Sequence, residues 1–226
     1  MQNKKLMLTA LAVLMATVIS GCDESNSLSS SNNNSTSNVI INEVTEAIWK
    51  ENLTIENNNF TMKCETTNDG VKSEEHTYVT NDKIMMEAKT TSNANVTMLF
   101  VKSDTGCYQY TLQSSGEWKK DNYPEEAFSA NMVNLCVFTT FKDKYSNFQY
   151  ISSSKYYELD SYTFETGEGE NKVHSDFSNI KIGFEDGKLN FVGFSVTVVY
   201  SFVTTSGTYT IDNFGSTTID MPTNIK

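Results

Sequence analysis

The chain has no arginine; all 17 of its basic residues are lysine, and 28 Asp and Glu bring the formal charge to −11 over 226 residues. Phosphate backbones are held by cationic side chains, and anionic membrane surfaces attract polybasic segments. Nucleic acid is therefore excluded as an expected partner, as is flat binding to a bilayer, and the acidity suits a soluble monomer. Histidine occurs only twice, as His76 and His174, with no H-E-x-x-H and no helical pair. No G-x-S-x-G nucleophile elbow is present. The S-x-x-K spacing of Ser152-Ser153-Ser154-Lys155 stands alone, without S-D-N or K-T-G, between short strands. Glu165, Glu168 and Glu170 lack the calcium-loop pattern, and Gly167-Glu168-Gly169 is not followed by a helix that would cradle phosphate. These absences point away from an enzyme, with no catalytic residues, no metal and no cofactor expected.

Cysteine is also scarce, at four residues with no CxxC spacing, so a zinc site is not expected and the core must hold the fold. No apolar run reaches the roughly 20 residues of a membrane span. The longest, residues 6–19, is 14 residues interrupted by two threonines; Lys4 and Lys5 precede it, and Ser20-Gly21-Cys22 follows. A positive start, an apolar run and a small-residue cleavage site make an export signal. With cysteine directly after the small pair, the segment resembles a bacterial lipoprotein signal. That resemblance implies cleavage before Cys22, a diacylglycerol on its thiol, and residence at the extracytoplasmic face of the cell membrane. Removing Lys4 and Lys5 leaves 15 lysines against 28 carboxylates, a charge of −13. The other cysteines, Cys64, Cys107 and Cys136, allow at most one intramolecular disulfide, and the sequence does not choose the pair.

The chain divides into residues 1–21 as signal, 22–38 as lipidated tether and 39–226 as one domain. Residues 23–38 are almost entirely Ser, Asn and Thr, too polar to offset the entropy of ordering. This tether has a reach of roughly 20–24 Å. The domain opens with a short amphipathic helix over 42–52, which Asn42 caps and whose apolar stripe is Val44, Ile48 and Trp49. A period of two follows: Phe60, Met62 and Cys64; Tyr78; Ile84, Met86 and Ala88; Val96, Met98 and Phe100; Tyr108, Tyr110 and Leu112. Turn signals separate these runs, as in an antiparallel meander. A helical insert over 123–141 interrupts it, with Pro124, Glu125 and Glu126 in the first turn and Phe128, Met132, Leu135, Cys136 and Phe138 on one face. Short strands resume at 148–152, 156–159, 162–164 and 180–184, and Asp186-Gly187 marks a tight hairpin. A long strand over 189–203 carries Val192, Phe194, Val196, Val198, Tyr200 and Phe202, and 204–207 turns it into a last strand over 208–214.

The expected fold is mainly β: one strongly curved antiparallel meander of about ten strands, a half-barrel, with the N-terminal helix and the helical insert on its concave side. Each strand has one apolar face, and two helices are little cover for so many strands. The inward set is rich in aromatics and Met, which suit an adaptable apolar pocket. The candidate cavity is lined by Phe60, Met62, Met86, Phe100, Tyr110, Phe194 and Val198. In order, the chain runs from lipobox to tether, a helix with Trp49, Asn59-Phe60-Thr61, a meander ending at Trp118-Lys119-Lys120, an insert, and a second meander closing on Asn213-Phe214-Gly215 and Asp220-Met221-Pro222. This layout resembles Gram-positive lipoproteins with a LolA/LppX-like fold. The resemblance implies an acyl-chain cavity and a lipid or other apolar ligand. The alternative is a non-enzymatic interaction or envelope module with a filled core.

Overall fold

The structure is a computed structural model that describes residues 43–68, 71–90, 95–166, 173–200 and 203–226. Cys22, the tether and Asn42 lie outside the described residues, as do Glu168, Glu170 and Phe202. Eleven strands form one antiparallel sheet: β1 (Phe60–Asn68), β2 (Val71–Thr80), β3 (Lys83–Thr90), β4 (Asn95–Ser103), β5 (Gly106–Leu112), β6 (Trp118–Asn122), β7 (Gln149–Ile151), β8 (Tyr156–Thr166), β9 (Val173–Glu185), β10 (Lys188–Tyr200) and β11 (Val203–Asp212). Their spatial order is β6-β5-β4-β3-β2-β1-β11-β10-β9-β8-β7. Two meanders are thus joined where β1 pairs with β11, in a register that sets Cys64 opposite Tyr209.

The sheet is mainly β as expected, but it is open. It is neither closed nor strongly curled, which corrects the half-barrel. The topology supplies the reason. The segment between β6 and β7 links one edge of the sheet to the other, so it must cross a face, and its side chains cover the apolar rows that curling would otherwise have enclosed. That segment holds α2 (Glu125–Leu135) and two 3-10 turns, Val137–Phe141 and Tyr145–Asn147. Phe128, Met132, Leu135, Cys136 and Phe138 are all buried, as their spacing predicts. The β-branched run after Leu135 tightens into the first 3-10 turn instead of extending the helix. Pro124 stands one residue outside the helix, and its carbonyl accepts the Phe128 amide.

The first helix, α1 (Glu46–Asn52), begins later than expected, with Thr45 as its cap: the Thr45 hydroxyl accepts the Ile48 amide at 3.3 Å. It lies on the same face as the insert. Trp49 is fully buried there, among the rings of Tyr145, Phe148, Tyr157 and Phe184. Its indole nitrogen donates to the Phe141 carbonyl at 3.0 Å. Just ahead of the helix, Val44 is held at both backbone groups: its amide donates to the Tyr157 hydroxyl at 2.7 Å, and its carbonyl accepts from the Tyr145 hydroxyl at 2.9 Å.

Three strand boundaries differ from the sequence expectation. Residues 204–207 read as a turn but are strand, with Thr205 opposite Val198 and Gly207 opposite Val196. Here β-branched threonines pair, and the glycine meets a packing need: a Cβ on Gly207 would lie 3.0 Å from Thr66 Cγ2. The short strands expected at 156–159 and 162–164 are one strand, β8, which keeps a single register with β9 from Tyr156 opposite Gly183 to Thr166 opposite Val173; the irregularity at Asn179, a residue at φ 53, falls in the pairing of β9 with β10, whose register shifts between Gly193 and Ser195. Finally, β9 starts at Val173, since Val173, Ser175 and Phe177 alternate inward although Ser175 is polar.

The chain after β11 forms a strap. The side chain of Asn59 brackets Thr217, accepting its amide at 2.8 Å and donating to its carbonyl at 3.1 Å. Beyond it, Ile219 joins an apolar cluster with Leu99, Val101 and Tyr110 on the face opposite the helices. The strap ends on the edge strand, where Trp118 donates to the Asn224 carbonyl and accepts the Lys226 amide, both at 2.9 Å.

Candidate functional site

Six of the seven residues expected to line a cavity share the helix-side core, and one does not. Phe60, Met62, Met86, Phe100, Phe194 and Val198 are all buried in that core. Tyr110 is buried on the opposite face, beside Ile219 of the strap, which corrects its assignment. The cause is the hairpin between β4 and β5. Ser103 pairs with Gly106, which places Tyr110 opposite Leu99 and Gln109 opposite Phe100. A period of two cannot say which parity faces in, and β4 carries apolar residues on both. Tyr78, expected inward, packs against this second cluster for the same reason, while Thr77 and Val79 turn to the helix side.

Protein side chains already engage the six. Phe60 meets Phe138 at 5.6 Å between ring centroids and Phe214 at 5.7 Å. Phe100 meets Tyr123 at 4.8 Å. Phe194 stacks on Tyr209 at 5.1 Å and meets Phe141 at 6.2 Å. Met62 and Met86 flank Thr77, and Val198 lies between Ser175 and Thr205. Two open surface depressions, of about 490 and 550 Å³, are lined by other residues, the larger by Ile48, Asn52, Asp186, Leu189 and Phe214.

The helix-side face has two halves. Ring contacts of the insert reach the sheet as far as Tyr162, Phe177 and Phe194. Further toward the hairpin tips the buried rows change character. They hold Cys64, Glu75 and Ala88 across β1, β2 and β3, then Thr66 opposite Gly207, then Ser175, Val198 and Thr205 across β9, β10 and β11. Alternation along the strands places Cys64 and Ala88 inward but misses Glu75, Thr66, Ser175 and Thr205, because polar side chains at inward parity look like interruptions of the apolar pattern.

Glu75 is 4% exposed. Burial raises its carboxyl above the usual range, and the Thr77 hydroxyl, donating at 3.0 Å, offsets this only in part. Cys64 and Cys136 are free thiols pushed up to about 12 by burial, and Cys107 is free as well, so no pair among the three forms a disulfide. Tyr209 is likewise raised well above the ordinary phenol value by burial, with the neighbouring Cys64 adding to the shift.

The other candidates fall elsewhere. His76 lies on the outer face, 2.7 Å from Glu74. His174, expected in a loop, is in β9, 3.0 Å from both Glu165 and Asp176; the hydrogen bond to Glu165 chiefly raises its pKa. Ser152-Ser153-Ser154-Lys155 is the β7–β8 hairpin turn, with Lys155 at φ 61 and the Ser154 hydroxyl bonded to Glu158 at 2.8 Å. Among the described residues no group of three or more His, Cys, Asp or Glu could hold a metal ion, and no helix is long and apolar enough to cross a membrane. No family model, curated protein or solved structure matches the chain.

Proposed function

We propose that the chain is a lipoprotein of the cell envelope, anchored through a lipid on Cys22, that binds an apolar molecule of lipid type without transforming it. The observation that carries this reading is the uneven composition of the buried helix-side face. Aromatic rings pack one half against the insert. The tip half buries Ala88, Val196 and Val198 together with the hydroxyls of Thr66, Ser175 and Thr205, a mixture that suits a bound amphiphile better than a structural core. The LolA/LppX-like layout of lipobox, tether, helix and paired meanders supports the same reading, as does a tether that keeps the domain near a bilayer.

A second reading has its own observation. The six core residues expected around a cavity are all buried, and Phe60, Phe100 and Phe194 pack on aromatic neighbours, as in a filled core; this favours a module that binds a protein partner through its surface.

Native mass spectrometry separates the two. The full chain, extracted from membranes in mild detergent, is expected to carry or take up lipid in addition to the acyl groups on Cys22. A folded chain that retains none and takes up none overturns the lipid reading. Cross-linking to one protein partner at the cell surface then supports the second.

A further inference from the structure

The two edges of the sheet are finished differently. At β6 the strap adds backbone bonds to the outermost strand. At the other edge β7 pairs only with Tyr156, Tyr157 and Glu158, while β8 itself runs on to Thr166. Among the described residues no strand pairs with β8 on that side beyond Glu158. Its other side is taken by β9 as far as Thr166. Alternate residues of an antiparallel strand aim their N–H and C=O groups to one side. The rest of β8 therefore offers a row of donors and acceptors to a further strand.

The side chains along this edge narrow the choice of strand. Tyr162 and Phe164 are half-buried on the helix side, with ring centroids 6.4 Å apart. Phe177 at 6.3 Å and Phe141 at 6.2 Å back the Tyr162 ring. Ser161, Thr163 and Glu165 are exposed, alternating with the rings. This stretch is complementary to itself when two copies run antiparallel about Thr163. Tyr162 of each copy then stands opposite Phe164 of the other, and Ser161 of each opposite Glu165. Thr163 meets its own counterpart. Ring pairs and threonine pairs across strands are favourable, and no carboxylate of the stretch faces another. The two-fold axis of such a pair is normal to the sheet. Both helix-side faces, and with them both Val44 entry points, lie on one side, so two chains anchored to the same membrane can pair.

We infer that the open edge of β8, over residues 161–165, docks a second copy of this chain, β8 against β8, in one antiparallel sheet that continues across both copies. Five residues a side bury less than the roughly 800 Å² per partner of a standard interface, so the dimer is weak and concentration-dependent. Each copy carries a formal charge of −11, so added salt strengthens the pairing by screening the mutual repulsion. The contact needs neither a bound lipid nor the anchor, although a shared membrane would raise the local concentration.

The test is sedimentation equilibrium of the full chain in mild detergent, up to about 1 mM, a range that captures weak association. The chain is expected to form a dimer that tightens with salt. Thr163→Lys sets two ammonium groups against each other across the two-fold axis, while within its own chain the new side chain stands opposite Asp176 of β9. It should stay folded by circular dichroism and weaken the dimer about fivefold. Ser161→Lys, opposite Glu165 of the second copy, should tighten it about fivefold. On mild oxidation Thr163→Cys should give a disulfide-linked dimer, because directly opposed positions lie within disulfide reach. Thr208→Cys, exposed on β11 in the middle of the sheet, should not. A chain that stays monomeric, a dimer indifferent to both lysine variants, or equal cross-linking by the two cysteine variants overturns the assignment.

Discussion

Trp49 shows how much rests on single side chains. One indole touches four aromatic rings and satisfies the Phe141 carbonyl, tying α1, the insert, β8 and β9 together. Trp49→Ala should cost about 3–5 kcal/mol, read from urea unfolding followed by far-UV circular dichroism. Glu75 gives a prediction with a definite sign. Its folded-state pKa is raised above the ordinary 4.5. The stability it contributes is therefore full below pH 4.5 and is lost as pH rises through the folded value. Glu75→Gln cannot ionise, so the wild type should lose stability relative to that variant between pH 4 and pH 8 in urea titrations; parallel curves would mean the carboxyl is not buried. At this scale the sequence identified Trp49 and most inward apolar residues. It passed over Glu75 and the buried hydroxyls because nothing local distinguishes a threonine facing inward from one facing water. Asn52 and Asn59 were also opaque. Each makes a pair of hydrogen bonds to distant backbone, Asn52 to the β9–β10 hairpin and Asn59 to the strap, and composition alone gave no hint of either.

Among the elements, hairpins were the most legible. Asp186 at φ 50 and Gly187 at φ 73 form the two-residue turn that Asp-Gly announces, and Glu185 pairs with Lys188 as such a turn requires. The last hairpin was misplaced because Thr, Ser and Gly favour turns as well as strands, and only the register with β10 separates the two. The strap was not legible as an element at all. It has no period, and its place follows from contacts more than 150 residues apart in sequence, such as Asn59 to Thr217 at a separation of 158. Asn59→Ala removes both bonds to Thr217 and should cost on the order of 1–3 kcal/mol. Hydrogen exchange at the Trp118 and Lys226 amides should speed up with it, because those bonds to the edge strand depend on where the strap starts. Unchanged exchange there would mean that the strap end is held independently of Asn59.

Across the whole molecule, an open sheet has two edges to manage. At one edge the strap bonds to Trp118 of β6, and at the other β7 is only three residues long. The mainly β class and the paired meanders were readable from alternation and turns. The open form was not, because curl depends on what covers the face, and only the edge-to-edge path of the insert decides that. Cys22→Ser tests the address on which the proposed function depends. The variant should move from the membrane to the soluble fraction on cell fractionation, with its melting temperature unchanged, as the proposed anchor requires. A variant that stays with the membrane would place the anchor elsewhere.

The tyrosine bonds at Val44, among them a second from the Tyr157 hydroxyl to the carbonyl at 3.1 Å, carry a mechanical consequence. Any pull along the amino-terminal segment enters the domain at that residue, where the Tyr157 hydroxyl grips the amide and the Tyr145 hydroxyl grips the carbonyl. Tyr157 passes the load into β8 and Tyr145 into the insert, so tension is divided between the sheet and its cover before it reaches α1. Tyr145→Phe and Tyr157→Phe would each remove one branch, and the domain would then begin to unravel from Val44 at lower force.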